Sequence, residues 1–436
     1  MNPLIAGAGV ADISPIDSQY LFGYPHVDRF SAGINDPLLS SALYLSDGLT
    51  PLLFIANDII FVSKATAARV RGRIREATGV SEENILISAT HTHSGPSTVD
   101  YASLEDDPTV PRVDPRYLAR FEDGIVAAAA AAYRSARPAE LGLVTTQAKV
   151  GTNRRDPDGP ADPQIPVLLV RAASSGTPIA CMLVVSMHPT VLREDSMVVS
   201  GDFPGLARQF LQQNVLGVEC PVLHHTGPAG NQSPRHVVRA NTVAEAQRLG
   251  EVLGRAVADV LPHVTYTQDA TLQVRRALLE LPRRAFPPLA EAQGKLARAA
   301  QKLEHLRRTG ASRQTIRGAE VDWFGAEETT RLALIADEGR LDSYYASCLP
   351  AEVQVLQIGP WAFVGWPGEI FVDYALRVKA QLREAFVISL ANGELQGYIT
   401  TEQAAEEGGY EASNAIFAPQ SGQALVDTTL RLLQKG

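Results

Sequence analysis

The chain has 436 residues, 45% hydrophobic and 20% charged, with 34 glycines and 28 prolines, the balance of a turn-rich globular protein large enough for one catalytic unit or two closely packed lobes. Lysine and arginine total 39 against 48 aspartates and glutamates, a net charge of −9, so there is no basic footprint for a nucleic acid or an anionic membrane. The 3 cysteines are far apart and odd in number, which suggests neither a disulfide framework nor a cysteine zinc site, and no apolar stretch reaches the roughly 18–20 residues of a membrane span.

The opening segment, "MNPLIAGAGVADISPIDS", has no basic region followed by a long apolar one, so it does not read as a signal peptide and the chain is expected to be cytoplasmic. "TPLLFIAND" is a short apolar run and is predicted as a buried strand. "SKATAARVRGRIREATG" has helical spacing, with Ser63 as N-cap and Gly79 as stop. "NILISAT" is a strand again, and "RYLARFEDGIVAAAAAAYRSA" an alanine-rich helix before the extended "AELGLVTTQAKVG". "IPVLLVRAA" and "PIACMLVVSMHP" read as strands paired across "SSGTP", with Cys181 as a small core residue. A helix, "GDFPGLARQFLQQNVLG", then a strand, "CPVLHHTGPAG", and a further helix, "TVAEAQRLGEVLGRAVADVL", complete that region. Residues 281–340 differ. Leu289, Leu296 and Leu303 fall seven apart and Leu306 follows, an amphipathic helix broken by "TGAS" before a second helix. A helical hairpin packed on the body is the first reading, a lid over a pocket the sharper one. From residue 351, "EVQVLQIGPWAFVGWPGE", "IFVDYALRVKAQLRE" and "FVISLANG" return to strands and a helix. The class is α/β: mixed β-sheets flanked by helices in a layered sandwich, one domain over 1–436 with a helical insertion at 281–340.

The residues that carry chemistry recur where apolar runs end. His91 and His93 follow "NILISAT". If the strand runs through them, side chains two apart share a face and both imidazoles reach one ion; hydrogen-bonded strand-end histidines are the plainer alternative. His188 ends "MLVVSMHP", His224 and His225 lie in "PVLHHTG", Glu369 follows "FVGWPG", and Tyr398 follows "ISLANGELQG". Ligands in α/β proteins gather beyond strand ends, and histidine with carboxylate suits zinc. Ser233 lies in the loop "HTGPAGNQSPRH", as a turn serine, a nucleophile or an anchor for a substrate hydroxyl. Arg154 and Arg155 lie in a turn, solvated or aimed at a substrate oxygen. Asp58 and Asp202 are expected either to orient the histidines or to cap helices.

Taken in chain order, "ADISP", "ATHTHSGP", "NRR", "HP", "GNQSP", "PGE", "YITT" and "YEASNAIFAP" resemble the catalytic domain of the neutral/alkaline, non-lysosomal ceramidase family, over about residues 5–420. The resemblance implies a Zn2+-dependent amidase of sphingolipid metabolism that acts on a lipid-like N-acyl substrate. It implies His91, His188, Glu369 and Tyr398 as metal ligands and His93 as the residue that moves protons. Arg154 and Tyr410 would line the site, and Ser233 matches a serine in the family's GDVSP loop. Here that loop reads "GNQSP", so Asn231 stands in the place of an acid. The family's C-terminal β-sandwich and signal peptide are not matched, and 281–340 matches no family motif.

The implied mechanism has a zinc-activated water attack the amide, His93 transferring the proton and Tyr410 or Arg154 stabilising the oxyanion. Ser233 is expected to anchor substrate. Three rivals stand beside it: a serine amidase or esterase pairing Ser233 with His224 or His225, a metal-binding relative without turnover, and a zinc esterase or lactonase acting on a small soluble substrate.

Overall fold

The apolar runs assemble into two sheets in a computed structural model that describes residues 3–24 and 27–434. The larger sheet has eight strands, in the spatial order Val222–Thr226, Pro178–Val185, Ile165–Ala172, Arg137–Thr146, Ile5–Asp12, Leu39–Ser46, Pro51–Asn57 and Ile85–Ala89. Its centre is antiparallel and the pair at each edge is parallel. The smaller sheet runs Leu272–Leu279, Ala351–Ile358, Trp361–Gly365, Ala385–Ile388, with the last pair parallel.

The sheets stack face to face. Phe54, Leu86, Leu168, Met182 and Leu223 of the large sheet share a core with Leu272, Leu356, Phe363, Phe386 and Ile388 of the small one. Strands buried on both faces need apolar residues at every position, which is why these read as continuous hydrophobic runs. The helices Lys64–Thr78 and Pro115–Arg134 cover the outside of the large sheet through Val70, Ile74, Phe121 and Ile125. Asp202–Leu211 and Val243–Val260 cover its other end through Phe203, Leu249 and Leu253, and Val372–Gln381 and Gln420–Gln434 cover the small sheet around Trp366 and Phe371. The layered α/β sandwich is the expected class.

Local signals act where they were read. Ser63 Oγ accepts the Thr66 N–H and Gly79, at φ 76°, closes the same helix; such caps satisfy backbone groups the helix leaves unpaired. In the 281–340 region, Leu289–Arg308 and Arg313–Asp337 form an antiparallel hairpin in which Ala292 and Leu303 are buried. No described helix is long and apolar enough to cross a membrane.

The curl of the large sheet positions the site. Twisted sheets of this width coil, and here the two opposite edge strands touch. Ser88 Oγ lies 2.7 Å from His225 Nδ1, and Thr226 Oγ1 donates to the Thr90 carbonyl at 2.7 Å. The small sheet joins at the same place: Ala89 N–H reaches the Leu390 carbonyl, and Ser389 N–H the Thr226 carbonyl. The C-terminal ends of five strands, at Ala89, Val185, Thr226, Gly365 and Ile388, therefore open into one space.

Candidate metal centre and active site

The strand that leads to the two histidines stops at Ala89, earlier than its sequence suggested. Thr90 N–H bonds the Asn57 carbonyl and His91 N–H the Ile59 carbonyl, pulling the chain out of the ladder. His91 then adopts φ 69°, a left-handed conformation that costs a non-glycine residue about 1–3 kcal/mol. Strand alternation is thus not what pairs His91 with His93. The turn does it, leaving the rings edge to face at 4.9 Å with their Nε2 atoms 3.3 Å apart. His188, just beyond Val185, brings its ring to 4.8 Å from that of His91.

Each imidazole is oriented by backbone. His91 Nδ1 faces the Ile60 carbonyl at 2.9 Å, and His93 Nδ1 the Gly23 carbonyl at 3.2 Å. His188 Nδ1 faces the Ala229 and Gln232 carbonyls at 2.6 and 3.0 Å. A neutral ring that gives its Nδ1–H to a carbonyl turns a bare lone pair outward on Nε2. Asp58 and Asp202 do not take the orienting role open to them in the sequence. Asp58 is bound to Arg208 and to the Leu39 N–H, and Asp202 accepts the N–H groups of Leu192 and Phe203.

Glu369 completes the cluster, its Oε2 3.3 Å from His91 Nε2 and 3.0 Å from His188 Nε2. Neither it nor Tyr398 ends an apolar strand, as the sequence pattern implied. They lie directly opposite each other in a two-residue parallel ladder, Glu369–Ile370 against Tyr398–Ile399. Gly368, at φ 77° with Leu395 packed where a Cβ would stand, makes the turn that delivers the carboxylate.

Burial works against ionising Glu369, yet His91 and His188 hold its carboxyl well below the usual range. Burial also pushes His188 down to about 4 and His93 well below an ordinary histidine. The Glu369 carboxyl oxygen and the Nε2 atoms of His91 and His188 therefore converge at about 3 Å, each ring having its Nδ1 turned to a backbone carbonyl. Such a set lacks only a positive charge. His91, His93 and His188 offer ligand atoms within 4.8 Å of one another, and nitrogen with carboxylate oxygen is a donor set a divalent ion such as zinc accepts.

The other sequence candidates divide. Tyr398 is buried, with the Arg154 guanidinium carbon 5.2 Å from its ring centre and the Tyr410 ring at 6.0 Å. Burial and Glu369 push its phenol well up, and Arg154 opposes that. Arg154 itself lies 2.7 Å from Glu411 through Nε and donates from Nη2 to the Gly230 carbonyl at 2.6 Å; Arg155 pairs with Glu411 and Glu407. Ser233 Oγ accepts the Arg235 N–H at 3.2 Å, and its backbone pairs with Thr152. His225 is spent on Ser88, and neither ring nitrogen of buried His224 has a partner among the described residues. Asn231 stitches its loop to the helix Val372–Gln381: Oδ1 accepts the Val372 N–H at 3.0 Å and Nδ2 donates to Asp373 at 2.9 Å.

A narrow cavity of about 60 Å³ opens on the cluster, walled by Phe22, Phe61, Tyr101, Tyr398 and Tyr410, with His93, Glu369 and Glu328 as charged or titratable groups. Glu328 comes from the helix Arg313–Asp337, and burial raises its carboxyl to about 7. The sequence signalled neither Tyr101 nor Glu328. The first lies in an irregular loop after "HTHSGP", and the second is one of many charges on an amphipathic helix.

Comparison with known proteins identifies the family and the fold. The family model described as "Neutral/alkaline non-lysosomal ceramidase, N-terminal" matches residues 4–226, just over half the chain. The neutral ceramidase of Mycobacterium tuberculosis is 28% identical over 236 residues, 50% of this chain and 37% of that protein. The neutral ceramidase of Pseudomonas aeruginosa is 22% identical over 475 aligned residues, 96% of this chain and 70% of that one. The crystal structure of the latter superposes with a TM-score of 0.76 at 19% identity, over 100% of this chain and 75% of that chain. A structure titled "Ceramidase complexed with C2" gives 0.74 at 18%, over 100% and 76%. The chain thus matches only about a third of the length of the Mycobacterium relative and 32% of Dictyostelium discoideum neutral ceramidase B.

Proposed function

Because the chain belongs to the neutral/alkaline non-lysosomal ceramidase family, we propose that it is a zinc-dependent hydrolase cleaving the N-acyl bond of a ceramide-like amide. The observation that carries this reading is the convergence of His91 Nε2, His188 Nε2 and Glu369 Oε2 on one point, with both rings oriented through Nδ1 by backbone carbonyls. These three would hold the ion, with Tyr398 as a fourth ligand from the strand paired to Glu369. A divalent ion held there would supply a Lewis acid, making water acidic enough to give up a proton near neutral pH.

The protein's own residues do the rest. His93 Nε2 faces the cluster from the cavity side and is neutral at pH 7, so it can take the proton of the attacking water and return one to the leaving nitrogen. Tyr410 OH donates to the carbonyl oxygen as charge develops on it; one such donor is typically worth about 3–4 kcal/mol. Arg154, tied to Glu411 and Gly230, is placed to hold Tyr398 rather than to touch substrate. Ser233 keeps the loop whose carbonyls orient His188, and among the described residues no imidazole hydrogen-bonds its Oγ, which weighs against the serine-hydrolase reading.

The test is elemental analysis together with hydrolysis of a panel of N-acyl amines and matched esters. The parent protein should bind about one equivalent of metal and cleave the amides. His91→Ala and Glu369→Ala should remain folded by circular dichroism while losing both metal and turnover. Undiminished hydrolysis in either variant, or after exhaustive chelation, would end this proposal.

A further inference from the structure

Tyr101 sits in the wall of the same cavity as His93, Glu369, Tyr398 and Tyr410. Its ring packs in a triad with two phenylalanines, edge to face with Phe22 at 5.6 Å and tilted against Phe61 at 5.4 Å, those two rings being 6.4 Å apart. Phe61 in turn packs on the His91 ring at 5.1 Å, so Tyr101 is one aromatic ring removed from the metal cluster. Its hydroxyl is buried, yet it bonds to no protein atom among the described residues. A buried polar atom without a partner costs about 1–3 kcal/mol, and native structures keep few of them. A phenylalanine would fill the same slot without that cost. The burden is intelligible if the hydroxyl has a partner that arrives with substrate.

We propose that Tyr101 is a second transition-state donor, its O–H hydrogen-bonding to the oxygen of the scissile carbonyl as that oxygen becomes tetrahedral and negative, alongside Tyr410. This deepens the amide-hydrolase reading and rests on it. The role needs a proton that stays on oxygen and an O–H fixed before the reaction starts. Burial and the neighbouring carboxylates Glu369 and Glu394 keep the phenol protonated. Packing of the ring against the Phe22–Phe61 pair restricts its movement, so the donor is oriented in advance, the condition under which such groups act on the transition state rather than on the ground state.

Tyr101→Phe tests this without disturbing the fold, since no protein hydrogen bond is removed. Four quantities are measured on parent and variant: kcat, KM, bound metal, and thermal midpoint without substrate. The expected result is a kcat lower by about 10²–10³-fold, KM within a few fold, metal content equal and the midpoint unchanged or higher. An unchanged kcat would overturn the proposal, as would a rise in KM at constant kcat, which marks a ground-state contact, or a loss of metal, which marks a structural role. Failure of the parent protein to hydrolyse any amide would instead fall on the amidase reading. In that case a zinc-loaded preparation and a phosphonamidate mimic of the tetrahedral state still examine Tyr101. Weaker binding of the mimic by the variant, by about 10-fold or more, supports the donor; equal binding overturns it.

Discussion

Asn231 shows how one residue can depart from a family pattern for a reason visible only in three dimensions. Where the loop resembles GDVSP, an acid would stand at this position; here the amide uses both of its ends. Its oxygen accepts the Val372 N–H at a helix start, and its nitrogen donates to Asp373 Oδ2 at 2.9 Å. An aspartate could keep the first bond but not the second, and would set two carboxylates against each other. Asn231→Asp should therefore destabilise the protein by about 1–3 kcal/mol at pH 7, the cost of replacing a donor with a like charge. The sign with pH follows. Repulsion raises the folded pKa of one of the two carboxyls above its unfolded value near 3.9, so stability is lost as pH rises through the raised value and recovered below about 3.9. Urea midpoints at neutral and acidic pH read this directly. A variant with the same deficit at both would show that charge is not its cause.

The helices and strands that were legible in the sequence are those specified within themselves, whereas the strands Ile5–Asp12, Leu39–Ser46 and Leu272–Leu279 and the helix Gln420–Gln434 were not read from it. Ser63 and Gly79 bracket a helix, and unbroken apolar runs mark strands buried on both faces. The candidate site was legible only in its residue types. Nothing in "SATHTHS" announces the left-handed turn at His91, because no glycine marks it. The ladder that sets Glu369 against Tyr398 is two residues long and pairs segments nearly thirty positions apart, beyond any local periodicity. Glu328 reaches the cavity only because of how the helix Arg313–Asp337 docks. That docking is close: a Cβ on Gly325 would lie 2.8 Å from Ser413 Oγ, in the short helix Tyr410–Asn414. Gly325→Val should push the two helices apart and displace Tyr410, whose neighbour Glu411 also anchors Arg154. Misplacement by about 1 Å can cost roughly 10²-fold in rate, so kcat should fall by at least about 10-fold with metal content unchanged. Gly325→Ala should be milder, because Ser413 Oγ can rotate away. Equal kcat in the valine variant and the parent would mean that this helix pair does not set the position of Tyr410.

The molecule as a whole depends on a sheet curled until its edges meet, and that seam is lined with histidine. His225 spans it to Ser88, and His224 lies behind it with its ring 6.2 Å from Phe203 and neither nitrogen satisfied among the described residues. Burial pushes both down to about 3, against about 6.5 in an unfolded chain. Between those values the unfolded chain binds a proton at each ring that the folded protein refuses. Stability from this source is therefore complete above about pH 6.5 and is lost as pH falls toward 3, at about 1.4 kcal/mol per pH unit for each histidine. Removing one histidine should remove one proton from that slope. His224→Leu is the informative change, because it deletes two unpaired polar atoms and breaks no hydrogen bond. Its stability at pH 7 should equal or exceed that of the parent, and between pH 6 and 4.5 its loss should be shallower by about 1.4 kcal/mol per unit. His225→Leu should behave differently, since it leaves Ser88 Oγ unpaired at the seam and lowers stability at pH 7. Urea unfolding across this range separates the two. Other groups, His188 among them, titrate in parent and variants alike, so the difference in slope isolates the seam. Parallel acid profiles for the parent and His224→Leu would show that the closed sheet edge plays no part in the acid limit of this fold.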